Sequence, residues 1–432
     1  MKKYDEYKDS GFDWIGEIPA QWDNLRLRFV CELRNGYTPS KDNSDYWEDG
    51  TIPWYRMEDI RDTGRKLQEA KQYITEEAVK GGGLFDAGSF ILATTATIGE
   101  HALLIVESLA NQQFTNLKIR KSLSNILSRD YFFYYLFVID DYCKATTKTS
   151  TFPAVSMELL KNCQIVFPSF CEQVAIATYL DTHCAKIDNL ISIQQKRIAL
   201  LQELKQSVIT HAVTKGLNPN VEMKQSGVEW IGDVPKHWEV MPLKFTGTFG
   251  NGLTYSPKDV VDNGILVLRS SNIQNSSLSF EDNVYVSKVS RDLLVNKGDI
   301  IICSRNGSAA LVGKSAFVDK ELNATFGAFM MRYIPNIEKK YGFYLFQTAI
   351  GQYKGYFSTT TINQLTKTTI DEIKVPLAMA EEQAAIASYL DHKCATIDTS
   401  ISNAQHQIDL LQEYKQSLIT EVVTGKRKVT DN

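Results

Sequence analysis

The sequence predicts an α+β protein in which two mixed α/β regions alternate with two long helices that pair with each other. Three observations support this fold class. The chain of 432 residues repeats itself once, each repeat ends in a long helix with one apolar stripe, and strand-like segments fill the divergent middle of each repeat. A chain of this length has room for about three domains.

The composition is that of a globular protein. Hydrophobic residues make up 43% and charged residues 23% of the chain, which excludes disordered, collagen-like and low-complexity classes. The net charge of −4 argues against a simple basic coat on nucleic acid, although it permits a local basic face. The start of the chain has no apolar signal core, and no apolar run is long enough to span a membrane. The seven cysteines form no C-x-x-C pair, so we expect a cytoplasmic chain with reduced thiols.

The opening of each repeat is a matched segment. Residues 10–22 read SGFDWIGEIPAQW and residues 226–238 read SGVEWIGDVPKHW. The four tryptophans, Trp14, Trp22, Trp230 and Trp238, recur at matched places, which favours a role in anchoring this segment. Chance does not explain a match of this length, so the chain contains two copies of one structural unit.

The end of each repeat matches equally well, whereas the middle does not. Residues 172–188 (EQVAIATYLDTHCAKID) recur as 382–398 (EQAAIASYLDHKCATID). In between, AGSFILATTATIG at 87–99 corresponds to KGDIIICSRNGSA at 297–309 only in outline. Constant ends with a divergent middle indicate a common frame that carries two different binding surfaces.

A long amphipathic helix is predicted at the end of each copy. The apolar or tolerated positions alternate in steps of four and three, which is a heptad seam. They are Leu180, Cys184, Ile187, Ile191, Gln194, Ile198, Leu201, Lys205, Val208 and Ala212 in the first copy, and Leu390, Cys394, Ile397, Ile401, Ala404, Ile408, Leu411, Lys415, Leu418 and Val422 in the second. A helix from residue 172 to residue 213 would be roughly 60 Å long, and Gly216 and Gly425 follow as stop signals.

The apolar stripe of each long helix needs a partner, and the other copy's helix is the obvious one. The alternative is two independent helices, each packed on its own domain. Lysine at the seam positions 205 and 415 favours a specified partner, because polar seam residues set register at a cost in stability. The residues we predict to pair the helices are Leu180, Ile187, Leu201, Leu390, Ile397 and Leu411.

The divergent middles are predicted to be mixed α/β. Residues 88–93 and 298–303 each pass from a glycine turn into a buried strand. The aromatic segments 131–138 and 341–347 are predicted to be core helices. Residues 163–168 and 372–376 are predicted to be the last strands before the long helices.

Common catalytic motifs are missing from the sequence. There is no G-x-G-x-x-G and no H-E-x-x-H, and the six histidines do not cluster. Residues 307–315 (GSAALVGKS) resemble a phosphate loop but have five residues between the glycines rather than four. The pattern therefore favours a binding protein over a catalyst.

The repeated motifs resemble those of specificity subunits of type I restriction–modification systems. The resemblance rests on the S-G-x-x-W-I-G-x-[IV]-P-x-x-W opening, the G-D-I-like strand with its Ser/Arg/Gly turn, and the E-Q-x-x-I-x-x-[YF]-L-D helix start. It covers essentially the whole chain. It implies a target-recognition domain at 1–167, a spacer helix at 168–217, a second target-recognition domain at 218–375, and a second spacer helix with the tail at 376–432.

The resemblance also implies the assembly and the chemistry of the complex. Each target-recognition domain would read one half of a bipartite site in double-stranded DNA, and the two helices would form an antiparallel coiled coil that spaces them. Two methyltransferase subunits and the restriction–translocase subunits would dock on this chain. S-adenosylmethionine, ATP and magnesium would be bound by those partners, with no cofactor, metal or catalytic residue in this chain and no membrane involved.

Candidate DNA contacts lie in the divergent middles. The turn Ser304, Arg305, Asn306 suits base contacts, because arginine and asparagine can bond base edges in pairs; the alternative is an ordinary solvated turn. In the first copy Thr94, Thr95 and Thr97 occupy this turn, where the family pattern has Ser-Arg-x-Gly. The other candidates are Arg56 and Arg269, as a phosphate clamp or a structural ion pair, and Lys148, Thr149, Thr359 and Thr360, as phosphate contacts or plain loop residues.

Two other classes of function remain open from the sequence. One is a coiled-coil scaffold that binds only proteins and has no DNA specificity of its own. The other is a single-chain enzyme with degenerate motifs. DNA binding in the presence of a methyltransferase would separate the first from a specificity subunit, and methyl transfer by the isolated chain would reveal the second.

Overall fold

The computed structural model describes residues 3–147, 154–353 and 364–429. The chain divides into two compact units. Unit 1 consists of Met1–Gln194 together with His406–Asn432, and unit 2 consists of Gln195–Gln405. Each unit therefore takes one half of each long helix, and unit 1 contains both ends of the chain.

Unit 1 is built on a five-stranded sheet in the order β4-β11-β8-β9-β6, with a three-stranded sheet, β10-β5-β7, beside it. Its strands are β1 (Tyr7–Asp9), β2 (Glu17–Pro19), β3 (Asp23–Arg26), β4 (Cys31–Asn35), β5 (Ile52–Tyr55), β6 (Lys66–Leu67), β7 (Tyr73–Ile74), β8 (Phe90–Ala93), β9 (His101–Leu104), β10 (Leu109–Ala110), β11 (Phe114–Ile119) and β12 (Gln164–Phe167). Its helices are α1 (Leu27–Val30), α2 (Met57–Thr63), α3 (Arg129–Thr147), α4 (Met157–Asn162) and the first half of α5 (Phe170–Lys215).

Unit 2 repeats this plan with a four-stranded central sheet, β16-β25-β22-β23, and a second sheet, β17-β21-β18-β24. Its strands are β13 (Met223–Gln225), β14 (Asp233–Pro235), β15 (Glu239–Pro242), β16 (Gly247–Asn251), β17 (Val260–Val261), β18 (Ile265–Leu268), β19 (Ile273–Gln274), β20 (Ser277–Leu278), β21 (Tyr285–Val286), β22 (Ile300–Cys303), β23 (Ser315–Phe317), β24 (Ala324–Phe326), β25 (Met330–Pro335) and β26 (Lys374–Leu377). Its own helices are α6 (Lys339–Tyr353) and α7 (Lys367–Glu372), and α8 (Ala380–Val423) begins in it.

The aromatic segments of the sequence form the core helices, as predicted. Helix α3 buries six consecutive residues from Tyr131 to Leu136, and the ring of Phe132 meets Phe90 of β8 edge-on at 5.3 Å. Helix α6 buries the matching segment from Tyr341 to Phe346. Helices with this much buried surface belong in the middle of a domain, and each shares one hydrophobic core with the central sheet of its unit.

The two long helices run antiparallel in unit 1. The hydroxyl oxygen of Tyr131 lies 2.8 Å from the carbonyl oxygen of Val423, at the end of α8, and 2.8 Å from that of Val166, just before α5 begins; its one proton is shared between them. Further along, the Nζ atom of Lys415 lies 2.6 and 2.7 Å from the two carboxylate oxygens of Asp188. The end of one helix thus meets the start of the other.

The same arrangement holds the two helices together in unit 2. Here Lys205 of α5 lies 2.7 Å from both carboxylate oxygens of Asp398 of α8. Ile209 of α5 and Leu390 of α8 share one hydrophobic core. The two seam lysines therefore receive matched carboxylate partners, which supports the prediction that they specify the pairing.

The predicted pairing residues are not equally buried. Leu180 and Leu390 are fully buried, and Ile187 and Ile397 nearly so. The other two, at positions 201 and 411, are only half-buried. The leucines and isoleucines nearest to the domain cores therefore bury the most apolar surface in the folded protein.

Each opening segment packs against the end of a long helix. In unit 2, Trp238 is fully buried and its indole N–H donates to Glu382 at 2.7 Å. Gly216 ends α5 with a φ of +76°, and a side chain there would lie 3.3 Å from the Trp238 ring. In unit 1, Gly425 ends α8 with a φ of +74°, and a side chain there would likewise lie 3.3 Å from the Trp22 ring. The tryptophans thus anchor the segments, as the repeat predicts.

A buried charged cluster that includes a histidine lies in unit 1. The Nδ1 atom of His101 lies 2.7 Å from Oδ2 of Asp140, and Arg65 donates to the same oxygen at 3.1 Å. The same Arg65 nitrogen also lies 3.0 Å from Nδ1 of His101, so the imidazole is held between a carboxylate and a guanidinium. Burial lowers the pKa of His101 below its ordinary value, which outweighs the opposite influence of Asp140. The cluster therefore holds a neutral histidine between strand β9 and helix α3.

Membrane-spanning helices and metal-binding clusters are both absent from the described residues. No helix in those ranges has the length and hydropathy needed to cross a bilayer. No group of three or more histidine, cysteine, aspartate or glutamate side chains in the same ranges is placed to hold a metal ion.

Truncation of Leu390 to alanine should lower the free energy of unfolding by ~2–5 kcal/mol, because the side chain is fully buried and leaves a cavity. Leu200→Ala is the matched control, since Leu200 lies on the same kind of helix but is 65% exposed. The control should change stability by no more than about 0.5 kcal/mol. Urea unfolding of both variants measures the difference, and equal costs would contradict the packing described above.

Unit 1 should lose stability as the pH falls below about 6.5, the ordinary pKa of histidine. The folded pKa of His101 is lowered, so the unfolded chain takes up a proton that the folded chain resists. The loss approaches about 1.4 kcal/mol per pH unit until the folded pKa is reached. Hydrogen exchange in β9 between pH 7.5 and 5.5 measures this loss of stability. The variant His101→Asn should make stability less dependent on pH. The variant His392→Gln, at an exposed site, should leave the pH dependence unchanged. An NMR titration in which His101 protonates above pH 6.5, the ordinary pKa of histidine, would contradict this prediction.

Candidate nucleic-acid interface

A polar turn follows the central strand of each unit and lies at the same end of the sheet. In unit 1, Ala93 at the end of β8 pairs with Phe114 at the start of β11. In unit 2, Cys303 at the end of β22 pairs with Met330 at the start of β25. The turns at 94–99 and 304–309 therefore lie next to the loops that precede β11 and β25.

Backbone hydrogen bonds fix both turns in the same way. The N–H of Thr94 donates to the carbonyl of Gln113 at 2.9 Å, and the N–H of Ser304 donates to the carbonyl of Phe329 at 3.0 Å. The carbonyls of Thr94 and Ser304 in turn accept from the segment before the last short helix, at Val155 and Leu365 respectively, each at 2.8 Å. Three chain segments thus meet at one place in each unit.

The first residue of each turn is used inside the unit. Thr94 and Ser304 are 8% and 6% exposed. The hydroxyl of Ser304 donates to the Phe329 carbonyl at 3.0 Å, and that of Thr94 lies 3.3 Å from the Thr115 hydroxyl. These hydroxyls hold the turn, so their geometry does not favour the DNA contact that the sequence predicted for them.

The second residue of each turn is the one that differs in chemistry. Thr95 bridges to Ala154, and Arg305 bridges to Gln364 at the matching place. The guanidinium of Arg305 donates to the side-chain carbonyl of Gln364 at 2.7 Å and lies 5.6 Å from the centre of the Phe329 ring. Within the described residues it has no carboxylate partner, so its charge is not neutralised locally.

The loops before β11 and β25 contribute residues that the sequence did not single out. Phe329 is 60% exposed beside Arg305. The matching positions in unit 1 are Gln112 and Gln113, which are exposed and half-buried. The exposed phenylalanine beside a guanidinium without a carboxylate partner distinguishes this turn from the matching turn of unit 1. Nothing in the amino-acid pattern signals this exposure, because the sequence does not distinguish Phe329 from the buried phenylalanines of unit 2.

The remaining residues of the two turns are partly exposed. The amide of Asn306 donates to the Ser270 hydroxyl at 3.3 Å and accepts from the N–H of Ser308 at 3.0 Å. Part of the hydrogen-bonding capacity of Asn306 is thus used within unit 2, where its bond to Ser270 joins the turn to the segment that follows β18. Thr97 in unit 1 is half-buried, and Ala96 before it has a φ of +61°.

Arg56 and Arg269 occupy matched positions, and both carry a local acidic partner. Arg269 lies 2.7 Å from Asp282, and Arg56 forms an ion pair with Glu58. The backbone N–H of each arginine is capped by the side chain three residues on, at 2.7 Å from Asp59 in unit 1 and 2.9 Å in unit 2. Of the two roles that the sequence left open, this geometry favours the structural ion pair.

Four candidate phosphate contacts are not placed by the structure. Lys148, Thr149, Thr359 and Thr360 lie outside the described residues. The described chain resumes at Ala154 and Gln364, next to Thr95 and Arg305.

Comparison with known proteins identifies the repeated unit. A family model for the type I restriction modification DNA specificity domain matches residues 19–203 and again residues 235–408. The chain is 44% identical over 151 residues to the specificity subunit of the type I restriction enzyme EcoprrI from Escherichia coli, a match that covers 35% of this chain and 37% of that one. It is 24% identical over 445 residues to the MjaVIII specificity subunit from Methanocaldococcus jannaschii, covering 98% and 97%.

A solved structure supports the fold independently. This chain is similar in structure, with a TM-score of 0.69, to a solved chain. That chain is described under "Structural basis underlying complex assembly and conformational transition of the type I R-M system". The match covers 94% of this chain and 98% of that one at 17% sequence identity, so it speaks for the fold alone. With two matched specificity domains over most of its length, the chain belongs to the family of type I restriction–modification DNA specificity subunits, a family whose role is DNA sequence recognition.

Proposed function

We propose that this chain reads a bipartite, asymmetric DNA site, with unit 1 contacting one part and unit 2 the other. One observation carries the proposal: matched backbone frames present different side chains. Unit 1 offers Thr95 and Gln113 where unit 2 offers Arg305 and Phe329. Because the frames agree and the side chains do not, the two units would dock alike and read different bases.

The side chains suit base edges in the major groove. Arginine pairs with O6 and N7 of guanine, and a phenylalanine ring packs on the methyl group of thymine. Glutamine pairs with N6 and N7 of adenine, which is the chemistry that Gln112 and Gln113 would bring to the other part of the site. Lys148, Thr149, Thr359 and Thr360 stay predictions as phosphate contacts, which position a protein without reading sequence.

The chain would work as the recognition part of a larger complex. We expect it to bind two methyltransferase subunits and, in a restriction complex, the restriction–translocase subunits, in the cytoplasm. Exposed apolar side chains on the helix pair of unit 1 support a protein partner there. Leu190, Ile193, Leu410 and Tyr414 are each 46–49% exposed, although they lie on helices whose other face is buried.

Replacing Arg305 with alanine should relax recognition at one base pair of the half-site read by unit 2, at a cost of ~1–3 kcal/mol. The other half-site should be read as before, because unit 1 has its own turn. Binding of the methyltransferase complex to a panel of single-base variants measures this.

Arg269→Ala is the control, because Asp282 already neutralises that arginine. It should leave base preference intact. If Arg305→Ala weakened binding to every sequence alike and lowered the salt dependence, the residue would be a phosphate contact. If neither affinity nor preference changed, the turn would not belong to the interface.

The purified chain alone should transfer no methyl group to DNA. We propose that S-adenosylmethionine, ATP and magnesium are bound by the partner subunits, and the family to which the chain belongs supports this division of labour. A methyl-transfer assay with the chain alone, with the methyltransferase subunit alone and with both should show sequence-specific transfer only in the mixture. Turnover by the chain alone would point to a single-chain enzyme, and a mixture without DNA specificity would point to a protein scaffold.

A further inference from the structure

One exposed phenylalanine recurs at the same place in both units. Phe29 in unit 1 is 54% exposed, and Phe245 in unit 2 is 59% exposed. Each follows a buried leucine and a basic residue, in the tripeptides Leu-Arg-Phe and Leu-Lys-Phe that begin at Leu27 and Leu243. Single exposed apolar residues need no explanation, but the same one at matched places in two divergent units does.

The turn that carries each phenylalanine is held rigidly. The N–H of Leu27 donates to the carbonyl of Cys163, and the N–H of Leu243 donates to the carbonyl of Ile373, both at 2.7 Å. The leucine side chains are fully buried. The exposed rings are therefore presented from anchored backbone rather than from a loose loop.

A second matched set of bonds closes the other side of each turn. The backbone N–H of Arg120 donates to Val30 and that of Asn336 donates to Thr246, both at 2.9 Å. The Arg120 guanidinium and the Asn336 side-chain amide each add a bond to a carbonyl of the turn, at 3.4 and 3.2 Å. Such pre-organisation lowers the entropy cost of binding a partner.

A positive charge stands over each exposed ring. The guanidinium of Arg28 lies 4.9 Å from the centre of the Phe29 ring, and the Nζ atom of Lys244 lies 5.3 Å from that of Phe245. Each unit thus offers an aromatic side chain bordered by a cation. Aromatic residues and arginine are enriched at the centres of protein interfaces.

The two rings lie at the opposite end of the central sheet from the polar turns. In unit 1, β4 begins directly after the Phe29 turn, and its first residue, Cys31, pairs with Ile119 at the far end of β11 from Phe114. In unit 2, Gly247 at the start of β16 pairs with Pro335 at the corresponding end of β25. A five-residue strand separates the two ends by ~16 Å.

We propose that the Arg28–Phe29 and Lys244–Phe245 pairs are docking points for one protein partner that binds in two copies, one to each unit. The partner surface would hold an apolar socket with carboxylates at its rim. A protein fits better than the DNA backbone, because phosphates offer nothing to an aromatic ring and the pairs lie away from the polar turns. The inference rests on the proposed function, in which the partner present in two copies is the methyltransferase subunit.

The test is assembly of the full chain with the methyltransferase subunit from the same host, followed by native mass spectrometry at increasing concentration. The wild type should bind two copies. Phe29→Ala and Phe245→Ala should each weaken the binding of one copy at least tenfold, and the double variant should weaken both. Arg28→Glu with Lys244→Glu should act in the same direction. Thermal unfolding of the two phenylalanine variants should not change, because both rings are exposed.

Phe280→Ala is the matched control. Phe280 is also exposed, at 38%, and has Lys320 over its ring at 5.2 Å, but it belongs to the divergent part of unit 2. Equal weakening by this control, or assembly of the double variant within twofold of the wild type, would overturn the inference. So would intact assembly with a uniform loss of DNA affinity, which would mark the pairs as backbone contacts. A wild-type chain that binds no methyltransferase would remove the proposed function as well, so the two failures are distinguishable.

Discussion

The antiparallel pairing of α5 with α8 is the interaction on which the rest of the structure depends. Unit 1 contains the start of α5 and the end of α8, and unit 2 contains the other two halves. Unit 1 therefore needs two separate stretches of chain to complete its core, whereas unit 2 is one continuous stretch that holds the second half of α5 and the first half of α8. The seam lysines meet Asp188 and Asp398 with carboxylates that are 55% and 53% exposed, and such half-exposed pairs contribute only ~0–1 kcal/mol. Their value lies in fixing the register, while the buried leucines and isoleucines supply the stability.

The opening segments extend this logic to the ends of the helices. Trp238 covers the end of α5 in unit 2, and Trp22 covers the end of α8 in unit 1. The first segment of the chain is thus completed by the last helix. An aromatic donor bonds the matched glutamate near the start of each helix, Tyr4 to Glu172 at 2.6 Å and Trp238 to Glu382 at 2.7 Å. The matched glutamate thus accepts a hydrogen bond in both units, but from different donors. The position of the donor group therefore matters more than its residue type.

The sequence predicted the frame well because the frame is periodic and repeated. Heptad spacing identified α5 and α8, and the aromatic segments identified α3 and α6. It could not show that each helix is shared between two units, since periodicity says which face is buried but not by which partner. It also ranked Leu201 with Leu180, although only Leu180 lies against a domain core and is fully buried.

The candidate interface was harder to predict, because exposure and pairing depend on distant parts of the chain. Thr94 and Ser304 look like free hydroxyls in the sequence, yet the fold buries both. Arg269 looks as available as Arg305 until Asp282 is found beside it. Phe329 has an apolar side chain, and only the fold places it at the surface next to Arg305.

The way the turns are held explains how two units with one frame can differ in their surface. The bonds that fix the turns at Thr94 and Ser304 run between backbone groups, which every residue except proline can supply. The one side chain bond that recurs comes from the hydroxyl at the first position, where both units have a hydroxyl residue. The side chain at the next position, Thr95 or Arg305, makes no bond to the turn that recurs in both units. A frame fixed by its backbone leaves the adjoining side chains free to differ between the units, as the proposed reading of two unlike half-sites requires.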